Sequence, residues 1–191
     1  PNFVPAAELA SRLRFDPQGP NLVYVGLVSE DKGALATIAL ARRLRERLPG
    51  TRLSFVGRMA GGIEPRLRAV AGFEPWIEYA GQLSPQQVRA RLDQAHFFVF
   101  LSLWRGEGHS NALTEAMARG CVPVVTRHGF LPDVVAERGF ILDDRERPEA
   151  AVAWMAAHWN EADWLSASQA AVDRIAEHFT ERRIAGILHD I

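Results

Sequence analysis

Two short, wholly apolar runs, Phe97 to Leu101 and Val122 to Val125, stand on either side of a segment long enough for one helix. A strand buried on both faces reads as continuous apolar sequence, and two such strands joined through a helix make a βαβ unit. The connecting stretch, SLWRGEGHSNALTEAMARGC, divides into a turn and then a helix. Gly106 and Gly108 lie where strand gives way to helix, Ser110 and Asn111 are capping types at its start, and Ala112, Leu113, Ala116 and Met117 recur on one buried face.

A helix start of this kind presents free backbone N–H groups and a partial positive charge, which suits a phosphate or another anion. Two carboxylates qualify that reading: Glu107 in the turn and Glu115 in the helix. Both would repel a phosphate, so a functional role makes them acceptors for hydroxyls, as on a sugar or a ribose. The structural alternative pairs Glu115 with Arg119 at the i, i+4 spacing and leaves Glu107 as a solvated loop charge. Residue type alone leaves both open.

Glu107, Glu115, the Ala116-Met117-Ala118 that follows, Gly120 and Pro123-Val124-Val125 together resemble the signature of the glycosyltransferase family 4 (group 1) enzymes, in their C-terminal, donor-binding domain. The whole string matches in order. The resemblance implies that Glu107 contacts a donor sugar, that Glu115 holds a ribose, and that Gly108, His109, Ser110 and Asn111 between them hold a diphosphate. It further implies a retaining enzyme with the two-domain GT-B plan, transferring a sugar from a nucleoside diphosphate to an acceptor hydroxyl. No cofactor and no protein-bound metal are expected for that class; the nucleotide sugar is the donor substrate.

The rest of the chain is read in order. Residues 1–20 carry Pro1, Pro5, Pro17 and Pro20, and leave room only for a short helix over Ala6 to Leu13. This stretch reads as an inter-domain linker, and residues 21–191 as one domain. Strands are expected at Leu22 to Val25, Leu53 to Val56, Trp76 to Ala80 and Phe140 to Leu142 besides the two above. Helices are expected at Gly33 to Leu48, Glu64 to Val70 and Ser84 to Ala95, the last with Ser84 as cap and Pro85 at its first position. From Pro148 onward the pattern is mostly helical. This alternation predicts an α/β, Rossmann-like three-layer domain with a mainly parallel sheet of about six strands, the C-terminal half of a GT-B glycosyltransferase. Ligands of such sheets bind at the strands' carboxyl ends, where the turns at Gly26, Gly57 and Gly106 fall.

Lys32 is the only lysine in the sequence; the other basic side chains are arginines. A flexible point charge in the first strand-to-helix turn suits a phosphate; the alternative is an ordinary exposed lysine, which the helix dipole would disfavour there. GLVSEDKG looks like the family's first-turn motif ending in Lys-Gly, but Leu27 stands where that motif usually carries Arg. Arg58, just after Gly57, is the candidate to replace the missing cation. In HGFLPDVV, Gly129, Pro132 and Asp133 resemble the family's Gly-x-x-Pro-Glu segment, expected beside the donor sugar; Asp133 otherwise reads as a helix cap. Trp154, Trp159 and Trp164 read as packing residues, and Asp143-Asp144 as a loop rather than a metal site.

A net charge of -1 gives no reason to expect nucleic acid or an anionic membrane. The basic run Ala41 to Arg47 reads as a solvated helix face. One cysteine, Cys121, forms no internal disulfide and reads as a buried filler, consistent with a cytoplasmic protein. No apolar run reaches the ~18 residues of a membrane span, so any contact with the inner membrane face is expected to be peripheral. The chain begins at Pro1, as a fragment of something larger would. The expected partners are the nucleotide-sugar donor and, through an absent N-terminal domain, a saccharide or lipid-linked acceptor.

Two rivals fail on their motifs. Gly106-x-Gly108-x-x-Asn111 lacks the third glycine of a dinucleotide fingerprint and has Arg127-His128 where an acid belongs; Lys32-Gly33 reverses the Walker order. A non-catalytic nucleotide-sugar-binding module and the half of a nucleotide-sugar epimerase remain as alternatives.

Overall fold

The computed structural model describes residues 3–10, 13–60 and 62–181. In chain order these form β1 (Asn21–Val25), α1 (Ala34–Arg47), β2 (Arg52–Val56), α2 (Glu64–Phe73), β3 (Ile77–Gly81), α3 (Pro85–Leu92), β4 (Phe97–Phe100), α4 (Asn111–Ala118), β5 (Val122–Thr126), α5 (Leu131–Val135), β6 (Phe140–Leu142), α6 (Glu149–Ala157) and α7 (Glu161–His178). The strands make one all-parallel sheet in the order β3-β2-β1-β4-β5-β6. This is the expected Rossmann-like α/β domain.

Every position of β4 and β5 is buried, which is why these strands read as unbroken apolar runs. Phe97, Phe98, Phe100, Leu113 and Met117 are all buried in the core, where each such side chain contributes about 2–3 kcal/mol. Local chemistry sets the helix starts. Ser84 and Gln87 form a reciprocal capping box on α3 behind Pro85, and the Ser110 hydroxyl accepts from the Leu113 amide to start α4. The longest helix, α7, is capped by Asn160 and lies against α4 and β5.

The late tryptophans do pack. Trp159, Trp164 and Phe15 enclose His96 with ring centroids 4.9, 5.0 and 6.5 Å away, and Trp154 stacks on His158 at 4.3 Å. Cys121 is buried with its thiol directed at the Leu92 carbonyl, 3.3 Å away, and burial pushes that thiol's pKa up.

Residues 3–10 differ from the expected short helix. Only Ala6–Glu8 form a 3₁₀ turn, after which Leu9 is extended with φ -65° and ψ 139°. The Ala10 amide donates instead to the Ala118 carbonyl at the end of α4, 2.8 Å away. Docking therefore overrides the local helical tendency; Ser11 and Arg12, within the expected span, lie outside the described residues. Val4, 2% exposed, bridges Thr180 and so packs beyond the end of α7.

The order of the strands fixes where a ligand can enter. From β1 the sheet grows outward through β2 to β3, then the chain crosses back to place β4 on the other side of β1. Connections leave β1 and β4 in opposite directions, opening a crevice above their carboxyl ends. The turn after β1 carries Lys32 and the turn after β4 carries Glu107, so residues 75 apart in sequence are brought to one place.

Candidate active site

Lys32 stands in the β1–α1 turn, which is tied down on three sides. The Tyr24 hydroxyl donates to the Leu27 carbonyl at 2.7 Å, with the Lys32 carbonyl 3.2 Å away. The Val28 amide donates to the Arg58 carbonyl at 2.8 Å and the Ala60 amide returns to Val28 at 3.0 Å, zipping this turn to the one after β2. Gly33 takes φ +81°, and a Cβ there would sit 2.1 Å from the Leu101 carbonyl oxygen. Only glycine lets the turn settle that closely onto the end of β4.

The Lys32 ammonium bonds both carboxylate oxygens of Glu107, at 3.1 and 3.2 Å, and lies 4.2 Å from the centre of the Trp104 ring. The two side chains are 15% and 5% exposed. Ser102 donates a hydroxyl hydrogen bond to the same carboxylate. Glu107 is thus no solvated loop charge, and Lys32 is no free surface lysine. Its ammonium is held in a largely desolvated pair, where the attraction between charges far exceeds that on the surface.

Beyond Glu107, the amides of Gly108, His109, Ser110, Asn111 and Ala112 have no acceptor among the described residues. They cluster at the start of α4, adjoining the Lys32–Glu107 pair. The Ser110 hydroxyl is spent on its own helix as the cap. The His109 ring packs against Phe179 with centroids 5.5 Å apart, and its Nε2 is buried without a partner among the described residues. Burial lowers the pKa of this imidazole, which favours its neutral form. Its main-chain N–H is therefore the more accessible donor.

Glu115 is half-buried, and burial followed by the nearby Glu8 carboxylate raises its pKa. The alternative pairing with Arg119 does not form. Arg119 sits at the end of α4 and donates from Nε to Asp93, at 2.5 Å, and from Nη1 to the Glu8 carbonyl, at 3.1 Å. Glu115 makes no ion pair among the described residues, so its oxygens remain open to a hydroxyl donor.

The other sequence-derived candidates arrange around this centre. Gly26 ends β1 with its amide on the Val56 carbonyl at 2.9 Å. Arg58 is exposed and unpaired among the described residues, one turn over from Leu27. Gly129 takes φ +55° and packs against Glu107, where a Cβ would approach the Glu107 carbonyl oxygen to 2.4 Å. Asp133 is not a cap: it lies exposed in the first turn of α5, whose N-cap is Phe130. Asp143 and Asp144 pair with Arg127 and Arg147, and no cluster of metal-ligating side chains occurs among the described residues.

Two participants escaped the sequence reading. Ser102, directly after the apolar run that ends at Leu101, hydrogen-bonds Glu107, and Arg145 reaches the first turn from the loop after β6. Spacing gave no signal for either, since their partners are not at helical or strand intervals.

The architecture is shared with known proteins. Residues 19–160 match the family model described as glycosyl transferases group 1. GDP-mannose:cellobiosyl-diphosphopolyprenol alpha-mannosyltransferase of Xanthomonas oryzae is 34% identical over 137 residues, covering 70% of this chain and 36% of that protein. The chain spans less than half the length of the curated relatives it matches. Among solved structures, a mutant of S. aureus TarM, crystallised with Fondaparinux, alpha-GlcNAc-glycerol and UDP, aligns with TM-score 0.77 and 13% identity, covering 98% of this chain and 38% of that one. The pneumococcal O-GlcNAc transferase GtfA, solved with UDP and GlcNAc, aligns with TM-score 0.72 and 17% identity over 95% and 37% of the respective chains.

Proposed function

The chain belongs to the group 1 glycosyl transferases, and from that premise we propose that it is the donor-binding half of a retaining enzyme that moves a sugar from a nucleoside diphosphate to an acceptor hydroxyl. The observation that carries the reading is the buried Lys32–Glu107 pair beside five open amides at the switch point of the sheet. A cation, a run of N–H donors and a carboxylate acceptor are the groups a sugar diphosphate requires.

In this reading the diphosphate lies across the start of α4, taking hydrogen bonds from the amides of Gly108 to Ala112 and drawing the Lys32 ammonium toward itself. Negative charge grows on the leaving diphosphate as the glycosidic bond breaks, and these fixed donors stabilise it without reorganising. Glu107, released from Lys32, accepts hydrogen bonds from the donor sugar's hydroxyls and orients the ring. Glu115 accepts from the ribose hydroxyls. The transition state is oxocarbenium-like, as sugar transfer generally is. Arg58 supplies part of the positive charge that Leu27 does not. The acceptor and any catalytic base belong to an N-terminal domain, so the isolated chain binds donor without turnover.

The Xanthomonas relative's name specifies GDP-mannose and a polyprenyl-linked acceptor, and two structural neighbours were solved with UDP. GDP and UDP are therefore the first ligands to try, and a lipid-linked saccharide at the membrane surface is the acceptor class we favour. No described helix is long and apolar enough to cross a membrane. Calorimetric titration with GDP, UDP, ADP and NAD tests the proposal: saturable binding of one nucleoside diphosphate supports it and identifies the base. Absence of binding for all four at millimolar concentration moves the assignment to a non-catalytic domain.

A further inference from the structure

Arg145 lies in the loop between β6 and α6, well away from the amino-acid pattern that marks the site. Its side chain is nevertheless only 16% exposed. The guanidinium Nη1 points into the β1–α1 turn, 3.2 Å from the Glu30 carbonyl, 3.2 Å from the Asp31 carbonyl and 3.4 Å from the Leu101 carbonyl. Nε faces the Glu146 carboxylate at 3.4 Å.

These three oxygens mark the seam where the Lys32 turn meets the end of β4. Two of them already accept a main-chain N–H: Glu30 from Gly33 at 2.9 Å, and Asp31 from Leu103 at 2.8 Å. The close approach of Gly33 to Leu101 crowds all three carbonyls together. Converging carbonyl dipoles repel one another unless a positive group lies among them. A guanidinium suits the place, since it is always charged and its fixed, planar donors can serve several acceptors at once. No other side chain donates to these oxygens among the described residues.

We propose that Arg145 is a positioning residue: it clamps the β1–α1 turn to the end of β4 and so sets where the Lys32 ammonium stands relative to Glu107 and the start of α4. Its Nη1 serves the three main-chain carbonyls and its Nε faces Glu146, so the role assigned to it is to hold the turn rather than to bind the diphosphate. The role assigned to Lys32 rests on the proposed function, but the clamp itself does not.

The experiment has two arms on the same chain. In the first, main-chain hydrogen exchange is followed in wild type, Arg145→Met and Arg145→Lys. The amides of Gly33, Ala34 and Leu103 exchange at least tenfold faster in Arg145→Met, while the β4 and β5 amides keep their protection and show that the fold persists. Arg145→Lys, which retains charge but loses the fork, falls between. Unchanged exchange at those three amides overturns the clamp. In the second arm, the Kd for the nucleoside diphosphate identified by calorimetry rises about tenfold in Arg145→Met, the Kd for the parent nucleoside does not, and the loss shrinks below threefold in a Lys32→Ala background. An equal loss in both backgrounds overturns the link to Lys32. Should wild type bind no nucleoside diphosphate, the proposed function fails, and the exchange arm still decides the clamp.

Discussion

Lys32→Ala tests the site through two quantities that the structure ties together. The variant removes the cation from a pair whose carboxylate is 5% exposed, leaving Glu107 with the Ser102 hydroxyl as its remaining side-chain partner. Deleting one member of a pair this buried costs about 3 kcal/mol. For a chain of this size each kcal/mol moves the melting temperature by about 2–4 °C, so a drop of roughly 6–12 °C is expected. Diphosphate affinity falls separately: a charge-assisted contact contributes about 1.5–3 kcal/mol, or roughly 10- to 150-fold in Kd. The double variant Lys32→Ala/Glu107→Gln separates the effects. Its melting temperature recovers most of the loss, because no uncompensated charge stays buried, whereas its diphosphate affinity stays weak, because the cation is still missing. Calorimetry and thermal unfolding on the three proteins provide both numbers. A Lys32→Ala protein with unchanged melting temperature and unchanged Kd would refute the reasoning.

Three further expectations follow from particular side chains. Glu115→Ala weakens binding of nucleotides with an intact ribose more than that of their 2'- and 3'-deoxy analogues; equal losses for all would show that its oxygens do not meet the ribose. Gly129→Ala places a Cβ against the Glu107 carbonyl at a positive φ, and thermal unfolding is expected to show a loss of about 1–3 kcal/mol; a melting temperature within one degree of wild type, about the scatter expected for a neutral change, contradicts it. His96 is held neutral: burial lowers its pKa to about 4, only partly opposed by Asp16 and the Arg14 main chain, and its Nδ1 accepts from the Asn21 amide at 3.0 Å. Because the folded-state value lies below the unfolded one of about 6.5, the unfolded chain protonates first. The stability this imidazole contributes is thus complete above about pH 6.5 and lost as pH falls toward 4, a slope worth about 3 kcal/mol. Denaturant titrations of wild type and His96→Gln between those pH values should converge at the acid end; parallel curves would sink the assignment.

Much of this molecule was legible before any coordinates. The apolar runs of β4 and β5 fixed the parallel sheet, because burial on both faces leaves no room for alternation. Ser84 and Ser110 announced their helices through capping chemistry that acts within one turn. What stayed hidden acts across the chain. Helical spacing offered Arg119 as an alternative partner for Glu115, yet it reaches Asp93 on the end of a neighbouring helix. The short helix expected at Ala6 to Leu13 yielded to a hydrogen bond with Ala118. Arg145 and the aromatic cage of His96 depend on residues dozens of positions apart, and no period of 3.6 or 2 reports such a contact. The positions of Lys32 and Glu107 were legible singly; their pairing required the strand order.

The central claim is that a nucleoside diphosphate lies between Lys32 and the start of α4. Because Lys32 is the only lysine, ¹⁵N-lysine labelling produces a single main-chain amide signal, that of Lys32 itself. Titration with the nucleoside diphosphate identified by calorimetry should move this signal saturably with the calorimetric Kd, and the parent nucleoside should leave it in place. A signal that does not move while calorimetry reports a saturated chain would place the ligand elsewhere and contradict the account.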